Sequence, residues 1–214
     1  MNQSTRGVAK KGLPEGFVYT DEIIEDCIID AKYFGTDNFM GRRADGYNAP
    51  LVVTPAEMTL PLQKAADIFR QHGCLMKFYD AYRPQRAVDD FVRWGAIKED
   101  DRRKPVHYPN VEKAQMFELG YIDSRSGHSR GRSVDLTLVD ASTMQELDMG
   151  SIFDFMDERS HHGAPGLTPQ QEANRRLLLS VMEECGFSPY RCEWWHYNLL
   201  PEPHPDTYFD FPIE

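Results

Sequence analysis

Two polar residues in the stretch SGHSRGRSVDLTL, residues 126–138, have side chains that can bind a metal ion. His128 and Asp135 stand seven residues apart, with small and basic residues between them, and an apolar run follows directly. Imidazole nitrogen and carboxylate oxygen are ordinary zinc ligands. Polar loops that bind no metal also contain such pairs. A third possible ligand from elsewhere in the chain is therefore needed to distinguish a metal site from an ordinary polar loop.

The best third group is His196, which lies among aromatic residues in the segment CEWWHYN. A zinc site that does chemistry usually takes three protein ligands and leaves one position for water. His128, Asp135 and His196 give a set of two nitrogens and one oxygen without a thiolate, which suits a catalytic zinc. Glu193, three residues before His196, makes the combination more specific than any one of these residues alone.

Each of these residues also has an ordinary structural interpretation. A lone histidine on an apolar strand is more often a hydrogen-bonded core residue, and a lone aspartate usually finds an arginine or a backbone partner. Spacing alone therefore leaves a metal site and simple hydrogen bonding as open alternatives.

The composition favours a soluble protein that acts on a small or uncharged partner. The chain has 214 residues, 41% of them hydrophobic, which is enough for one domain with a proper core. Its net charge is −10 and its pI is about 5.2. Nucleic acid and anionic membranes carry the same sign of charge, so neither is an expected partner.

The sequence also predicts a cytoplasmic protein. Residues 1–17 contain basic residues without the apolar run of a secretory signal, and no segment approaches the ~18 apolar residues of a membrane span. The four cysteines form no CxxC pair, which fits reduced thiols in the cytoplasm.

The patterns of the chain predict a mixture of helices and strands. Helical patterns cover residues 54–73, 83–97, 111–120 and 168–186, and strand patterns cover residues 74–82, 132–140 and 193–200. Thr168 and Gln171 form a capping box at the start of the longest helix. Because the elements show no regular βαβ rhythm, we expect a single α+β domain with a mainly antiparallel sheet and flanking helices.

Several segments together resemble the VanX-type D-alanyl-D-alanine dipeptidases. SGHSRGRSVD fits their S-x-H-x-x-G-x-A-x-D motif with Ser133 in the alanine place, and EWWH and YDAYRP fit two further motifs. KYFGTDNFMGRRADGY and DMGSIFDFMDERSHH resemble other segments in the same order. The resemblance runs from about residue 20 to the C-terminus, and the charged run at residues 98–105 matches nothing in it.

This resemblance implies a role for each matched residue. His128, Asp135 and His196 would bind one Zn²⁺ per chain, Glu193 would be the general base, and Arg83 would stabilise the transition state. It implies a zinc metallopeptidase that hydrolyses D-alanyl-D-alanine with metal-activated water. It also implies the fold shared by D,D-peptidases and hedgehog domains, with a domain over residues 20–214 and an N-terminal extension over residues 1–19.

The expected substrate is a small zwitterionic dipeptide, whose two ends need partners. By resemblance, Asp154 binds the ammonium group with help from Tyr33, while Ser126 and Tyr47 are candidates for hydrogen bonds to the substrate ends. Asp154 could equally be a surface or capping aspartate in a polar loop.

One geometric conflict leads to a structural prediction. Residues 193 and 196 of a flat strand point to opposite faces of the sheet, so both could not reach one metal site. We therefore predict a bend, a bulge or a strand end near Trp194 and Trp195.

Two alternatives stay open. The first is a zinc D,D-carboxypeptidase or endolysin-like peptidase that acts on larger peptidoglycan peptides. The second is a non-catalytic, zinc-stabilised binding module, although such a module needs neither Glu193 nor Arg83. The sequence does not distinguish glycopeptide resistance from the recycling of wall dipeptides, and it leaves the oligomeric state open.

Overall fold

The computed structural model describes residues 8–214, which form a central sheet with helices packed around it. The strands are β1 (Phe17–Tyr19), β2 (Ile28–Ile29), β3 (Val53–Pro55), β4 (Cys74–Asp80), β5 (Ser133–Asp140), β6 (Phe187–Tyr190) and β7 (Glu193–Leu199). The helices are α1 (Thr20–Ile23), α2 (Thr59–Gln71), α3 (Gln85–Ala96), α4 (Lys104–His107) and α5 (Pro169–Glu184). This arrangement confirms the predicted α+β class.

The main sheet has five strands in the order β2-β4-β5-β7-β6. The β2–β4 pair is parallel and the other three pairs are antiparallel, so the sheet is mainly antiparallel, as predicted. β1 and β3 form a separate antiparallel pair. The last three residues of the predicted extension, residues 1–19, thus belong to β1, while residues 1–7 lie outside the described part of the chain.

β5 lies in the middle of the sheet and is buried along almost its whole length. The alternation of Val134, Leu136 and Leu138 with polar residues in this segment predicts one apolar and one polar face. All residues of the strand except the last are buried, so both faces are covered. Asp135 is therefore a buried carboxylate, which needs a partner of its own.

The longest helices begin and end close to where the sequence places them. α5 starts behind the predicted capping box, in which the Thr168 hydroxyl accepts from the Gln171 N–H and the Gln171 side chain accepts from the Thr168 N–H. Gly186, at φ +90°, follows the helix in a conformation that favours glycine. α2 begins at Thr59, after a 3-10 turn over Ala56–Met58, and not at residue 54, where the predicted helical pattern begins.

The helix predicted over residues 111–120 is wrong. Only a 3-10 turn over Lys113–Gln115 forms there. The Lys113 ammonium is buried and donates to the carbonyl oxygens of Trp94 and Ile97 at 3.3 and 2.8 Å. These tertiary contacts override the helical pattern of the segment.

No helix among residues 8–214 is long and apolar enough to cross a membrane. The four cysteines are free thiols.

Candidate active site

The three predicted metal ligands lie together at one end of the central sheet. Asp135 on β5 and His196 on β7 are direct register partners, and His128 lies on a 3-10 turn, His128–Arg130, shortly before β5. One ligand atom from each residue lies within 4.8 Å of the others. Asp135 Oδ2 is 3.3 Å from His128 Nε2, and Asp135 Oδ1 is 3.2 Å from His196 Nδ1.

Hydrogen bonds on the far side of each imidazole fix which nitrogen faces this centre. His128 Nδ1 donates to the Ala81 carbonyl oxygen at 2.6 Å, which leaves Nε2 with its lone pair. His196 Nε2 donates to Asn198 Oδ1 at 3.2 Å, which leaves Nδ1 with its lone pair. These two lone pairs lie 3.3 Å apart, next to the Asp135 carboxylate.

The donor set fits Zn²⁺. Three buried lone-pair donors repel one another unless a cation lies among them, and Asp135 Oδ1 has no hydrogen-bond partner among residues 8–214. Burial acts to raise the pKa of Asp135, but His128 and His196 outweigh it when their facing nitrogens carry protons, and hold this pKa well below its usual range. A bound cation in place of those protons would act in the same direction. Two imidazoles and one ionised carboxylate without a thiolate are the ligands of a catalytic zinc, and this group is the one place among residues 8–214 where such ligands meet.

Glu193 joins the same centre through an irregularity in β7. Its Oε2 lies 3.4 Å from His196 Nδ1. Pro189 of β6 pairs with Tyr197, but the next residue, Tyr190, pairs with Glu193, so residues 194–196 of β7 have no partner in β6. This shift confirms the predicted bulge near Trp194 and lets residues 193 and 196 face one cavity.

Arg83 lies at the junction between β4 and α3, with its guanidinium beside the ligand group. Its Nε donates to Asp80 Oδ2 at 2.9 Å, and its Nη2 lies 3.5 Å from Asp135 Oδ2. The guanidinium carbon lies 4.8 Å from the centre of the Tyr33 ring and 5.1 Å from that of Phe91. Arg83 thus has a structural ion pair with Asp80 and also a side that faces the ligands.

Asp154 and Tyr33 meet in the same cavity. The Tyr33 hydroxyl donates to Asp154 Oδ1 at 3.0 Å, while Asp154 Oδ2 is buried and finds no hydrogen-bond partner within residues 8–214. Burial raises the pKa of Asp154 well above its usual value, and nearby Arg83 only partly offsets this. A carboxyl group in this state would gain a favourable partner from a bound cation.

Ser126 and Tyr47, the two further residues predicted to contact the substrate, lie in different surroundings. Ser126 lines the cavity, and its Oγ accepts from the His128 N–H at 3.2 Å. Tyr47 is buried, donates to Asp80 Oδ1 at 2.8 Å and is not among the residues that line the cavity. A substrate contact of Ser126 or Tyr47 stays a prediction, and for Tyr47 the observed contact is with the carboxylate that holds Arg83.

The cavity that contains these groups has a volume of about 280 Å³. That volume is at the low end for ligand pockets and suits a small substrate. Its walls include aromatic residues that the sequence did not single out: Phe117, Tyr121, Phe155 and Tyr190.

Asn198 is a further residue that the sequence analysis missed. Its Oδ1 accepts from the Ser133 hydroxyl at 2.6 Å and from Arg132 Nε at 3.2 Å, as well as from His196. The position carried a signal, because residues two apart on a strand share a face. Ser133 stands where the resembled motif has alanine, and its hydroxyl hydrogen bond to Asn198 gives this difference a structural role.

Comparison with known proteins gives a consistent result over nearly the whole chain. The family model described as D-ala-D-ala dipeptidase (Peptidase_M15) matches residues 14–214. The D-alanyl-D-alanine dipeptidase of Streptomyces coelicolor is 49% identical over 92% of this chain and 98% of that protein. The D-alanyl-D-alanine dipeptidase of Enterococcus faecium is 45% identical over 93% of this chain and 98% of that protein.

Among solved structures, a zinc complex of the vancomycin resistance D,D-pentapeptidase VanY aligns with 80% of this chain and 82% of its own. The identity is 16% and the TM-score is 0.42.

Proposed function

This chain belongs to the D-Ala-D-Ala dipeptidase family of zinc metallopeptidases, and we propose that it hydrolyses free D-alanyl-D-alanine to two molecules of D-alanine. The observation that carries the proposal is the unpartnered Asp154 Oδ2 in the small cavity that also holds the metal ligands. A carboxylate in that place gives the cavity a partner for the free ammonium group of a dipeptide.

His128, Asp135 and His196 would hold a zinc ion, for which the structure offers His128 Nε2, a carboxylate oxygen of Asp135 and His196 Nδ1. When bound, zinc polarises the scissile carbonyl and lowers the pKa of a water molecule from ~15.7 towards ~7. The hydrogen bonds from His128 to Ala81 and from His196 to Asn198 keep both imidazoles oriented for this task.

Glu193 is the general base. Its carboxylate lies beside the ligand group, is partly exposed to the cavity and makes no ion pair with an arginine or lysine among residues 8–214. It takes a proton from the attacking water and passes it to the leaving amine. General acid–base catalysis of this kind contributes about 10²- to 10⁴-fold.

Arg83 stabilises the negative charge that develops on the carbonyl oxygen. Its pKa lies well above the usual value, so it stays cationic although it is buried. The ion pair with Asp80 holds its Nε, which leaves the outer nitrogens to face the cavity. One such donor is worth about 3–4 kcal/mol of transition-state stabilisation, by analogy with oxyanion-hole deletions.

Asp154 binds the substrate ammonium group, and Tyr33 holds the Asp154 carboxylate in place. Because burial raises the pKa of Asp154, an incoming ammonium group restores the ionised form and gains a strong pair. A longer peptide that extends beyond this position would bring no ammonium group to Asp154. We propose that Ser126 serves the carboxylate end of the substrate.

The alternative of a larger peptidoglycan substrate is weakened by the same features. An enzyme for long peptides needs an open groove, whereas this cavity is small and contains a buried carboxylate. A non-catalytic module would have no use for Glu193 and Arg83 beside the metal ligands. The four free thiols favour a reducing compartment, so we propose that the protein acts in the cytoplasm.

The decisive experiment incubates the purified zinc-loaded protein with D-Ala-D-Ala, L-Ala-L-Ala and a muramyl pentapeptide, and follows free alanine. We expect rapid release from D-Ala-D-Ala and little from the pentapeptide. Cleavage of the pentapeptide alone would support the larger-substrate enzyme. Retention of zinc without cleavage of any substrate would support the binding module.

A further inference from the structure

The backbone of Asp154 has a conformation that non-glycine residues seldom adopt. Its φ is +58°, in the left-handed region. Such a conformation costs free energy, and it persists where the surrounding structure holds it. Asp154 is 7% exposed, so the buried groups around it, and not solvent, hold this conformation.

His107 holds this stretch of backbone at two points, the carbonyl of Asp154 and the N–H of Met156. Its imidazole Nδ1 donates to the Asp154 carbonyl oxygen at 3.1 Å. Its own carbonyl oxygen accepts from the Met156 N–H at 2.7 Å. His107 is 2% exposed, so it acts from within the packed interior.

Arg103 fixes the orientation of the His107 ring. Its Nη2 donates to His107 Nε2 at 2.7 Å, so Nε2 is the acceptor and Nδ1 carries the proton that Asp154 receives as a hydrogen bond. Arg103 belongs to the charged run at residues 98–105, for which no motif gave a role.

The same arginine also contacts the segment that carries Tyr33. Arg103 Nε donates to the Asn38 carbonyl oxygen at 3.1 Å, and Nη2 donates to Asp37 Oδ1 at 2.9 Å. The Asn38 amide in turn donates to the Lys32 carbonyl oxygen at 3.0 Å, next to Tyr33. Arg103 and His107 thus join the two segments whose side chains meet in the Tyr33–Asp154 hydrogen bond.

We propose that Arg103 and His107 are positioning residues that set Asp154 against Tyr33, and that they thereby determine the preference for substrates with a free ammonium group. This inference rests on the proposed role of Asp154. Neither residue lines the cavity that holds the metal ligands, so both act through Asp154 and not on the reacting atoms.

The test compares His107→Leu, which removes the donor, with His107→Asn, whose amide can replace the Nδ1–H. Loss of one such hydrogen bond should raise KM for D-Ala-D-Ala about 5- to 10-fold in His107→Leu, with kcat within about 2-fold and zinc content unchanged. His107→Asn should recover most of the loss.

Arginine variants give a matched pair in which the buried imidazole itself is not replaced. Arg103→Leu should raise KM, whereas Arg102→Leu should not, because Arg102 is exposed and pairs with Asp100 alone. If His107→Leu does not fold, this pair and the His107→Asn variant still decide the question.

A second readout separates positioning from general packing. The D-Ala-D-Ala analogue in which a hydroxyl group replaces the amino group is used as a competitive inhibitor. Its inhibition constant should be the same in wild type, Arg103→Leu and His107→Leu, since it brings no ammonium group. An equal loss of affinity for analogue and substrate would overturn the inference, as would a fall in kcat at constant KM.

Asp154→Asn, measured beside these variants, distinguishes failure of the proposed ammonium site from failure of the positioning role. A raised KM in Asp154→Asn with wild-type KM in Arg103→Leu and His107→Leu would overturn the positioning role alone. An unchanged KM in Asp154→Asn would overturn the proposed ammonium site and, with it, the positioning role.

Discussion

Glu193 Oε2 lies 3.4 Å from His196 Nδ1, although the two residues stand three apart on one strand. A flat strand would direct their side chains to opposite faces of the sheet. The register shift between Pro189 and Tyr190 of β6 removes that constraint, because it leaves residues 194–196 of β7 without partners in β6. A proposed general base and a proposed metal ligand thus share one cavity through a local irregularity in the sheet.

Glu193→Gln should separate metal binding from turnover. The amide keeps the size of the side chain but cannot accept a proton, so kcat should fall about 10²- to 10⁴-fold. Zinc content, measured by atomic absorption, should stay near one per chain. A Glu193→Gln enzyme with wild-type kcat would remove Glu193 from its proposed role.

Arg83→Lys should lower kcat with little effect on KM. Lysine keeps a positive charge beside Asp80 but loses the planar fork, so we expect kcat to fall about 10²-fold or more. Steady-state kinetics provide the measurement, and thermal unfolding serves as the control for the buried ion pair. A lysine variant with full kcat would leave Arg83 only its structural pair with Asp80.

Asn198→Ala should weaken zinc binding without removing a ligand. The variant loses the acceptor that orients His196, and loss of such a partner typically costs about 10- to 100-fold in metal affinity. Competition with a chelator measures this affinity. Ser133→Ala, which leaves Asn198 in place, is the matched control and should have a smaller effect; equal affinity in wild type and Asn198→Ala would speak against the orienting role.

His107 should make the protein less stable in mild acid. Burial lowers its pKa from 6.5 to about 4, with the charge of Arg103 acting in the same direction and the Asp154 carbonyl opposing it. Between these two pKa values the unfolded chain binds more protons than the folded one, so stability falls as the pH falls. From about pH 7 to about pH 5 the loss is about 2 kcal/mol.

Denaturant unfolding of wild type and His107→Asn at both pH values checks this expectation. The variant lacks the titrating ring, so its free energy of unfolding should fall less over the same range. The pKa of His162 is also lowered to about 4 by burial, but this contribution is common to both proteins and cancels in the comparison. An identical pH dependence in the two proteins would contradict the assignment to His107.

Much of the fold could be predicted because local patterns and tertiary structure agree there. The Thr168–Gln171 capping box and the alternation in β5 indicated α5 and a strand, although not that both faces of β5 are buried. Residues 111–120 misled the prediction, since the carbonyl partners of the buried Lys113 lie on a different part of the chain. A helical pattern gives no information about such contacts.

Some residues of the site could be predicted from the sequence and others could not. Residue type and spacing gave three candidate ligands but left the metal site open, and resemblance suggested the roles of Glu193, Arg83 and Asp154. The contacts of Arg103 and His107 could not be predicted, because His107 meets Asp154 across 47 residues of chain. Only the three-dimensional structure brings these residues together.

The most direct test of the whole account is zinc X-ray absorption spectroscopy of the loaded protein, with wild type compared with His196→Ala. We predict one zinc per chain with nitrogen and oxygen ligands at about 2.0–2.2 Å, including two imidazoles in wild type and one in the variant. Sulfur ligands at about 2.3 Å, or an unchanged spectrum in His196→Ala, would contradict the proposed centre.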